Sequence, residues 1–504
     1  MDIDAAPAPA RPTRRIAVGD DSAYDLDALA ASWDVIGRNK VRRLLFVADS
    51  SPSLAGPALS LALEAIKAQT LDARLYEETY YRYRQLLSAL ESGEEKDPQA
   101  RAWYEQVRGN EARIDREWLD RTKKEAQSGL DKLEIELKGY MTNLIKESIR
   151  MGHRDLARFQ YRVGDLQASV RSHTKSREFC TTSQHVLEMC LGVIEVALDM
   201  ANYAFVRNYV VKAESAVEAA QASAASGKSK TAPVNLPGMV APAQDPIEAA
   251  KERERKVTHE RLTIAGGVAH LGSGAYDKAA YAFTDVGAEA LVSGPGHFIP
   301  AADIALYAVL TGLACFSRPA LRSRVLENGN LRPYLDLEPY LRDIVRAFYD
   351  NQFKKGLELL HKYEARFLLD LHLAPHYDSL HRLIRERALL SYFQPFASVS
   401  ISRMALAFGW PEDYLVGAVV DLIRRGLMKA RVDSAKGTLV ARKQEPRIEA
   451  FKNALEQGEK MQRRAMASQL RMKLLQNELV VKPAKRGGGG HGPSREHEQS
   501  IMVD

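Results

Sequence analysis

The sequence predicts a mainly α protein: a tetratricopeptide-like helical solenoid that leads into a winged helix and ends in one long amphipathic helix. Three observations carry this. From Tyr24 onward the apolar residues recur at helical spacing for roughly 360 residues, with hardly any strand-like alternation. A pattern of a small or polar residue, a large apolar residue and then an amphipathic stretch returns four times. The one convincing hairpin pattern follows three short helical patterns near the C-terminus.

Residues 1–22, opening MDIDAAPAPARPTRR, are rich in Ala and Pro and are expected to be disordered. They carry acids where a signal peptide needs basic residues, and Pro where it needs an apolar run. The solenoid is assigned to 23–274. Its recurring unit reads GDLQASVRS with Leu166, ANYAFVRNYV with Tyr203, GAYDKAAYAF with Tyr276 and NQFKKGLELL with Phe353. These residues stand 37, 73 and 77 apart, or one and about two helix-turn-helix units of a degenerate repeat. Residues 219–245, which include QASAASGKSKTAPVNLPGMVAPAQ, interrupt the array and read as a disordered surface loop. SGPGHFIP, at 293–300, reads as a short turn-rich connection.

The winged helix is placed at 389–442. Leu389, Leu390, Phe393 and Phe396 close a first helix, and a second carries Ile401, Met404, Ala405 and Phe408 and ends at Gly409. Pro411 opens a third, faced by Leu415, Val419, Leu422 and Ile423, with Gly426 at its C-terminal cap. Met428, Ala430 and Val432 then alternate with charged residues before SAKG turns into TLVAR.

A final helix is expected over 446–481. Apolar or small residues recur at 451, 455, 458, 461, 465, 468, 472, 475 and 479, close to a heptad seam. Gly458, Ala465 and Ser468 make that seam weak for self-dimerisation and better suited to close packing in a bundle. Phe451, Leu455, Met461, Met472, Leu475 and Leu479 are therefore the candidate partner-binding residues. Residues 482–504 are low in complexity and expected to form a flexible tail.

An apolar fraction of 45% suits a chain that buries a core, and a net charge of +6 over 504 residues gives no global affinity for polyanions. Between Pro446 and Arg486 ten Lys or Arg face four Glu, a surplus equal to the charge of the whole chain. Cys180, Cys190 and Cys315 are too few and too scattered for a disulfide framework or a zinc site, which suggests a reducing compartment, the cytosol or nucleus. No apolar stretch approaches the length that spans a bilayer, so no membrane partner is expected.

Signatures of chemistry are missing. Neither HExxH nor HxH occurs, and of His372, His376 and His381 the first two are separated by Pro375, which spoils a helical pair of metal ligands. ASAASGKS approximates a phosphate-binding loop but has Ala222 where the first glycine would let the backbone wrap a phosphate. No catalytic, cofactor-binding or metal-binding residue is nominated, and the chain is expected not to be an enzyme. A winged helix raises the question of DNA, but its third helix opens with Glu412 and Asp413, which would oppose phosphates. Nucleic acid is not expected as a partner.

The order of parts resembles the PCI-domain family, which supplies scaffolding subunits to the proteasome lid, the COP9 signalosome and translation initiation factor 3. Within it the chain is similar to the signalosome branch rather than the lid branch. That likeness rests on runs such as RRLLFVADSSPSL (42–54), SREFCTTSQHVLEMCLGVIEVAL (176–198), RERALLSYFQPF (385–396), ARVDSAKGTLVAR (430–442) and QRRAMASQLRMKLLQNEL (462–479). The resemblance implies a PCI domain over 275–442 and a C-terminal bundle helix. It implies a scaffold role in the complex that removes the ubiquitin-like modifier from cullins, with the metalloprotease centre in another subunit. The implied partners are the other PCI and MPN subunits of that complex and, indirectly, cullin-RING ligases.

Overall fold

The computed structural model describes residues 16, 24–33, 38–93, 97–109, 113–228, 246–288, 298–442 and 446–477. Apart from Ile16, the expected disordered segment 1–22 lies outside them, as do 229–245 of the expected loop, Leu479 and the tail 482–504. The chain divides into two compact units, Met1–Met428 with Val432–Leu439 and Lys429–Arg431 with Val440–Asp504.

The first unit is almost entirely helical, and its repeat is a helix pair joined by one backbone device. The recurring large residues open the second helix of successive pairs: Leu166–Lys175, Tyr203–Lys228, Tyr276–Thr284 and Phe353–Lys362. Two residues before each, Gly164, Ala201, Gly274 and Asn351 take a left-handed conformation. The next amide then reaches back five residues along the preceding helix: Asp165 N donates to Gln160 O at 3.0 Å, Asn202 N to Ala197 O at 3.1 Å, Ala275 N to His270 O at 2.9 Å, and Gln352 N to Ala347 O at 2.8 Å. Each is a Schellman cap, which satisfies a terminal carbonyl and reverses the chain. Glycine occupies the left-handed position at no steric cost, whereas at Ala201 the Cβ meets the following carbonyl. Ala201→Gly is accordingly expected to stabilise the fold by about 1 kcal/mol, read as a higher urea midpoint.

The helix Ala301–Cys315 is apolar all round, and it is buried almost all round, from Asp303 to Ala314. The N-terminal helices Arg38–Ser50, Pro52–Gln69 and Ala73–Ser92 pack around Val41, Leu44, Ile66, Tyr76, Tyr83 and Leu87.

Two expectations need correction. The interruption expected from 219 is still helix as far as Lys228, because Ala219, Ala220, Ala222, Ala224 and Ala225 are strong helix formers. The first helix of the winged helix, expected to carry Leu389, Leu390, Phe393 and Phe396 at its close, is Ala374–Phe393: it starts well before 389, with Pro375 in its first turn, where a missing amide hydrogen costs nothing, and it ends before Phe396.

The helices Ile401–Phe408 and Glu412–Arg424 follow, the first capped by left-handed Gly409 and the second followed by left-handed Gly426. The wing has a strand the sequence did not announce. β1 (Ser398–Ser400), β2 (Ala430–Asp433) and β3 (Thr438–Ala441) form a sheet in the order β1-β3-β2. Ile401 N donates to Gly437 O at 3.0 Å beside β1. The second unit contains the helix Pro446–Gln476, close to the bounds expected from the heptad pattern.

Candidate interaction helix and a buried charge cluster

Phe451, Leu455, Met461, Met472 and Leu475 lie on Pro446–Gln476 and are each between 50% and 75% exposed. A row of large apolar side chains in water at helical spacing is surface that association would cover. The structure adds three that the heptad reading passed over, Met466, Leu470 and Leu474, also exposed. Ion pairs within the helix join Lys460 to Glu456 at 2.9 Å and Arg463 to Glu459 at 3.7 Å. Among the described residues, the side chains of Arg464, Arg471 and Lys473 have no carboxylate partner.

A feature that sequence reasoning missed altogether lies in the first unit. The basic run RNKVRR at 38–43 looks like a solvated face, yet its side chains turn inward. Arg38 Nη2 donates to Asp72 Oδ2 at 2.8 Å, Asn39 Nδ2 to Phe298 O at 2.8 Å and Arg42 Nη1 to Leu198 O at 2.7 Å. Arg43 is buried against two carboxylates, Asp303 at 2.5 Å and Asp370 at 3.4 Å. Arg366 holds the other oxygen of Asp303 at 2.6 Å. Asp370 Oδ1 also accepts from Tyr307 OH at 2.7 Å and from the amides of His372 and Leu373 at 3.0 and 2.9 Å.

Burial acts to raise both acids. At Asp303 the two guanidiniums of Arg43 and Arg366 overcome it and hold the carboxyl below its usual range. Asp370 stays above its usual range, through burial and the neighbouring charge of Asp303. With two cations against two anions and most lone pairs taken, the cluster is a paired buried network. It locks an N-terminal helix to the central helix and to the segment before Ala374–Phe393. No sequence signal points to it, since Arg43 and Asp370 stand 327 residues apart.

The three histidines weighed as metal ligands have separate partners. His372 Nδ1 meets Tyr203 OH at 3.2 Å, His376 Nδ1 meets Tyr276 OH at 3.1 Å, and His381 stacks on Tyr377. Among the described residues no group of His, Cys, Asp and Glu has the arrangement of a metal site. Burial pushes the Cys190 thiol up to about 11, and burial with a hydrogen bond to Asp277 pushes Cys315 up to about 12, the opposite of what a nucleophile needs. The residues weighed as a phosphate loop, Ala222 to Lys228, are the end of a helix. In the winged helix, Glu412 and Asp413 open Glu412–Arg424, and Arg425 at its far end is held by Glu386 at 2.7 Å and Asp421 at 3.0 Å. Among the described residues no helix is long and apolar enough to cross a membrane.

Comparison with known proteins agrees with this architecture. Residues 115–324 match the family model for 26S proteasome subunit RPN7, and residues 360–443 match that of the PCI domain. COP9 signalosome complex subunit 1b of Drosophila melanogaster is 32% identical over 94% of this chain and 90% of its own length. Subunit 1 of the Arabidopsis thaliana complex is 32% identical over 92% of each chain. A proteasome relative, 26S proteasome non-ATPase regulatory subunit 6 of Caenorhabditis elegans, is 21% identical over 69% of this chain and 77% of its own. With 32% identity along nearly the whole chain, above the level shared with the proteasome subunit, and a PCI domain at residues 360–443, this protein belongs to the COP9 signalosome subunit 1 family.

Proposed function

We propose that the chain is a non-catalytic scaffold subunit of a COP9 signalosome in the cytoplasm and nucleus, with the other PCI and MPN subunits as its partners. It acts on cullin-RING ligases indirectly, by supporting removal of the ubiquitin-like modifier from cullins. The PCI unit spans 275–442, and the terminal helix docks with helices of sister subunits. The observation that carries this reading is the exposed apolar row on Pro446–Gln476, in a chain similar to signalosome subunits along nearly its whole length. The buried Cys190 thiol, pushed up by burial, and individually partnered histidines support a structural role.

Deleting residues 446–504 is expected to leave the first unit folded, with an unchanged helical circular dichroism signal per residue, and to abolish co-purification with sister subunits. Leu475→Asp in the full chain should do the same by placing a charge in an apolar contact, at a cost of several kcal/mol. Normal assembly of the truncated chain would sink the docking role. The masses of co-purifying proteins distinguish signalosome from proteasome lid.

A further inference from the structure

The terminal helix is apolar on two opposite sides and basic between them. Met466, Leu470 and Leu474 follow one another at intervals of four, on one line along the helix. Met461, Ala465, Met472 and Leu475 make the other. Met466 and Leu475, nine residues apart, lie about 180° apart around the helix and about 14 Å apart along it. Met466 is 59% and Leu475 50% exposed.

From Gln462 to Gln476 the helix holds Arg463, Arg464, Arg471 and Lys473 and no acid. Arg464 and Arg471 stand on one border between the two lines and Lys473 on the other. These side chains narrow the kind of partner. A membrane surface takes the apolar face of a helix from one side and leaves the opposite line in water. Nucleic acid answers the charge but leaves the exposed methionines and leucines uncovered. A second copy of the helix would set Arg against Arg. An acidic protein that closes round the helix covers both lines and meets cations on both borders. Met461, Met466 and Met472 add unbranched, polarizable side chains that adapt to a groove itself lined with methionine.

We infer that residues 461–476 are a target for a calcium-loaded EF-hand sensor, an acidic protein whose two lobes, opened by calcium, each offer a methionine-rich apolar groove. One lobe takes Met466 and Leu470, the other takes Leu475, and carboxylates at the groove rims meet Arg464, Arg471 and Lys473. The inference goes beyond the docking role proposed above. Sensor and sister helices need the same side chains, so the sensor binds the chain before assembly.

The test titrates fluorescently labelled calmodulin, as the probe, with the full chain purified alone, in calcium and in a calcium chelator. The expected result is a one-to-one complex in calcium that weakens about tenfold or more in chelator. Leu470→Asp and Leu475→Asp, with unchanged helical circular dichroism signals, are each expected to weaken it by a similar factor, because both sides are gripped. Arg464→Glu with Arg471→Glu should do likewise, and the Gln pair less. No complex in calcium would overturn the inference, as would equal binding in chelator, which is charge attraction alone. Weakening by only one of the two Leu variants would overturn the two-sided grip. Retention on phosphatidylserine vesicles without a calmodulin complex would assign the helix to a membrane surface instead. Co-purification with sister subunits is read separately. Its success without a calmodulin complex leaves the docking role standing and overturns the sensor site, and its failure alongside a calmodulin complex does the reverse.

Discussion

Arg43→Met is expected to destabilise the protein by about 3–5 kcal/mol, the range for removing one partner of a buried ion pair. The side chain itself would fit, because Met is apolar and of similar length. The cost arises at Asp303 and Asp370, which remain almost fully buried with one guanidinium, that of Arg366, instead of two. A urea midpoint well below that of the unaltered chain checks this. Arg43→Met combined with Asp370→Asn should recover part of the loss, since Asp370 is the carboxyl whose charge burial already opposes and whose neutral form still accepts from Tyr307. A midpoint for Arg43→Met within about 0.5 kcal/mol of the unaltered chain, the range of an ordinary surface change, would mean that the cluster is not closed.

Acidification below neutrality is the second large effect. His153, His173, His270, His372, His376 and His381 all titrate below their ordinary value in the folded chain, with burial the first cause at each. Unfolded histidines take up protons near pH 6.5. The folded state refuses them, so stability is complete above about pH 6.5 and falls as the pH drops below it, until the folded values are reached. For His173, pushed down to about 4 by burial and by Arg158 and Arg154, that window runs from about 6.5 to about 4. Each unit of depression is worth about 1.4 kcal/mol, so His173 alone lowers stability by about 3 kcal/mol as the pH falls from about 6.5 to about 4, and the other five act in the same direction. Asp370, Asp199, Glu195 and Glu338, raised chiefly by burial, act in the opposite direction as the pH approaches the carboxylate range. His173→Leu isolates one histidine: among the described residues Nδ1 of His173 has no hydrogen-bond partner, so the change removes a buried polar atom. The variant's loss of stability between pH 7 and 5 should be shallower by up to one proton, measured from urea midpoints along the pH series. An unchanged slope would show that His173 is solvated in the folded chain.

Local chemistry made much of the fold legible. Leu166, Tyr203, Tyr276 and Phe353 each open a helix because a reversal needs a left-handed residue followed by a side chain that packs, and both are written within a few neighbouring positions. Gly409 and Gly426 mark helix ends for the same reason. The missed features depend on distance. β1 is three residues long and exists because β3, some forty residues later, lies beside it. In the terminal helix, a heptad template selected one apolar line and discarded Met466, Leu470 and Leu474, whose significance shows once their exposure is known.

By itself the sequence determined the helical class, the repeat, the winged-helix order and the amphipathic terminal helix, because periodicity and caps are interactions between residues a few positions apart. Only the tertiary structure decided the fate of the basic run at 38–43 and of the histidines at 372, 376 and 381. A charge on a helix face has the same local signature whether it meets water or a carboxylate brought from 327 residues away, and that choice is made by packing.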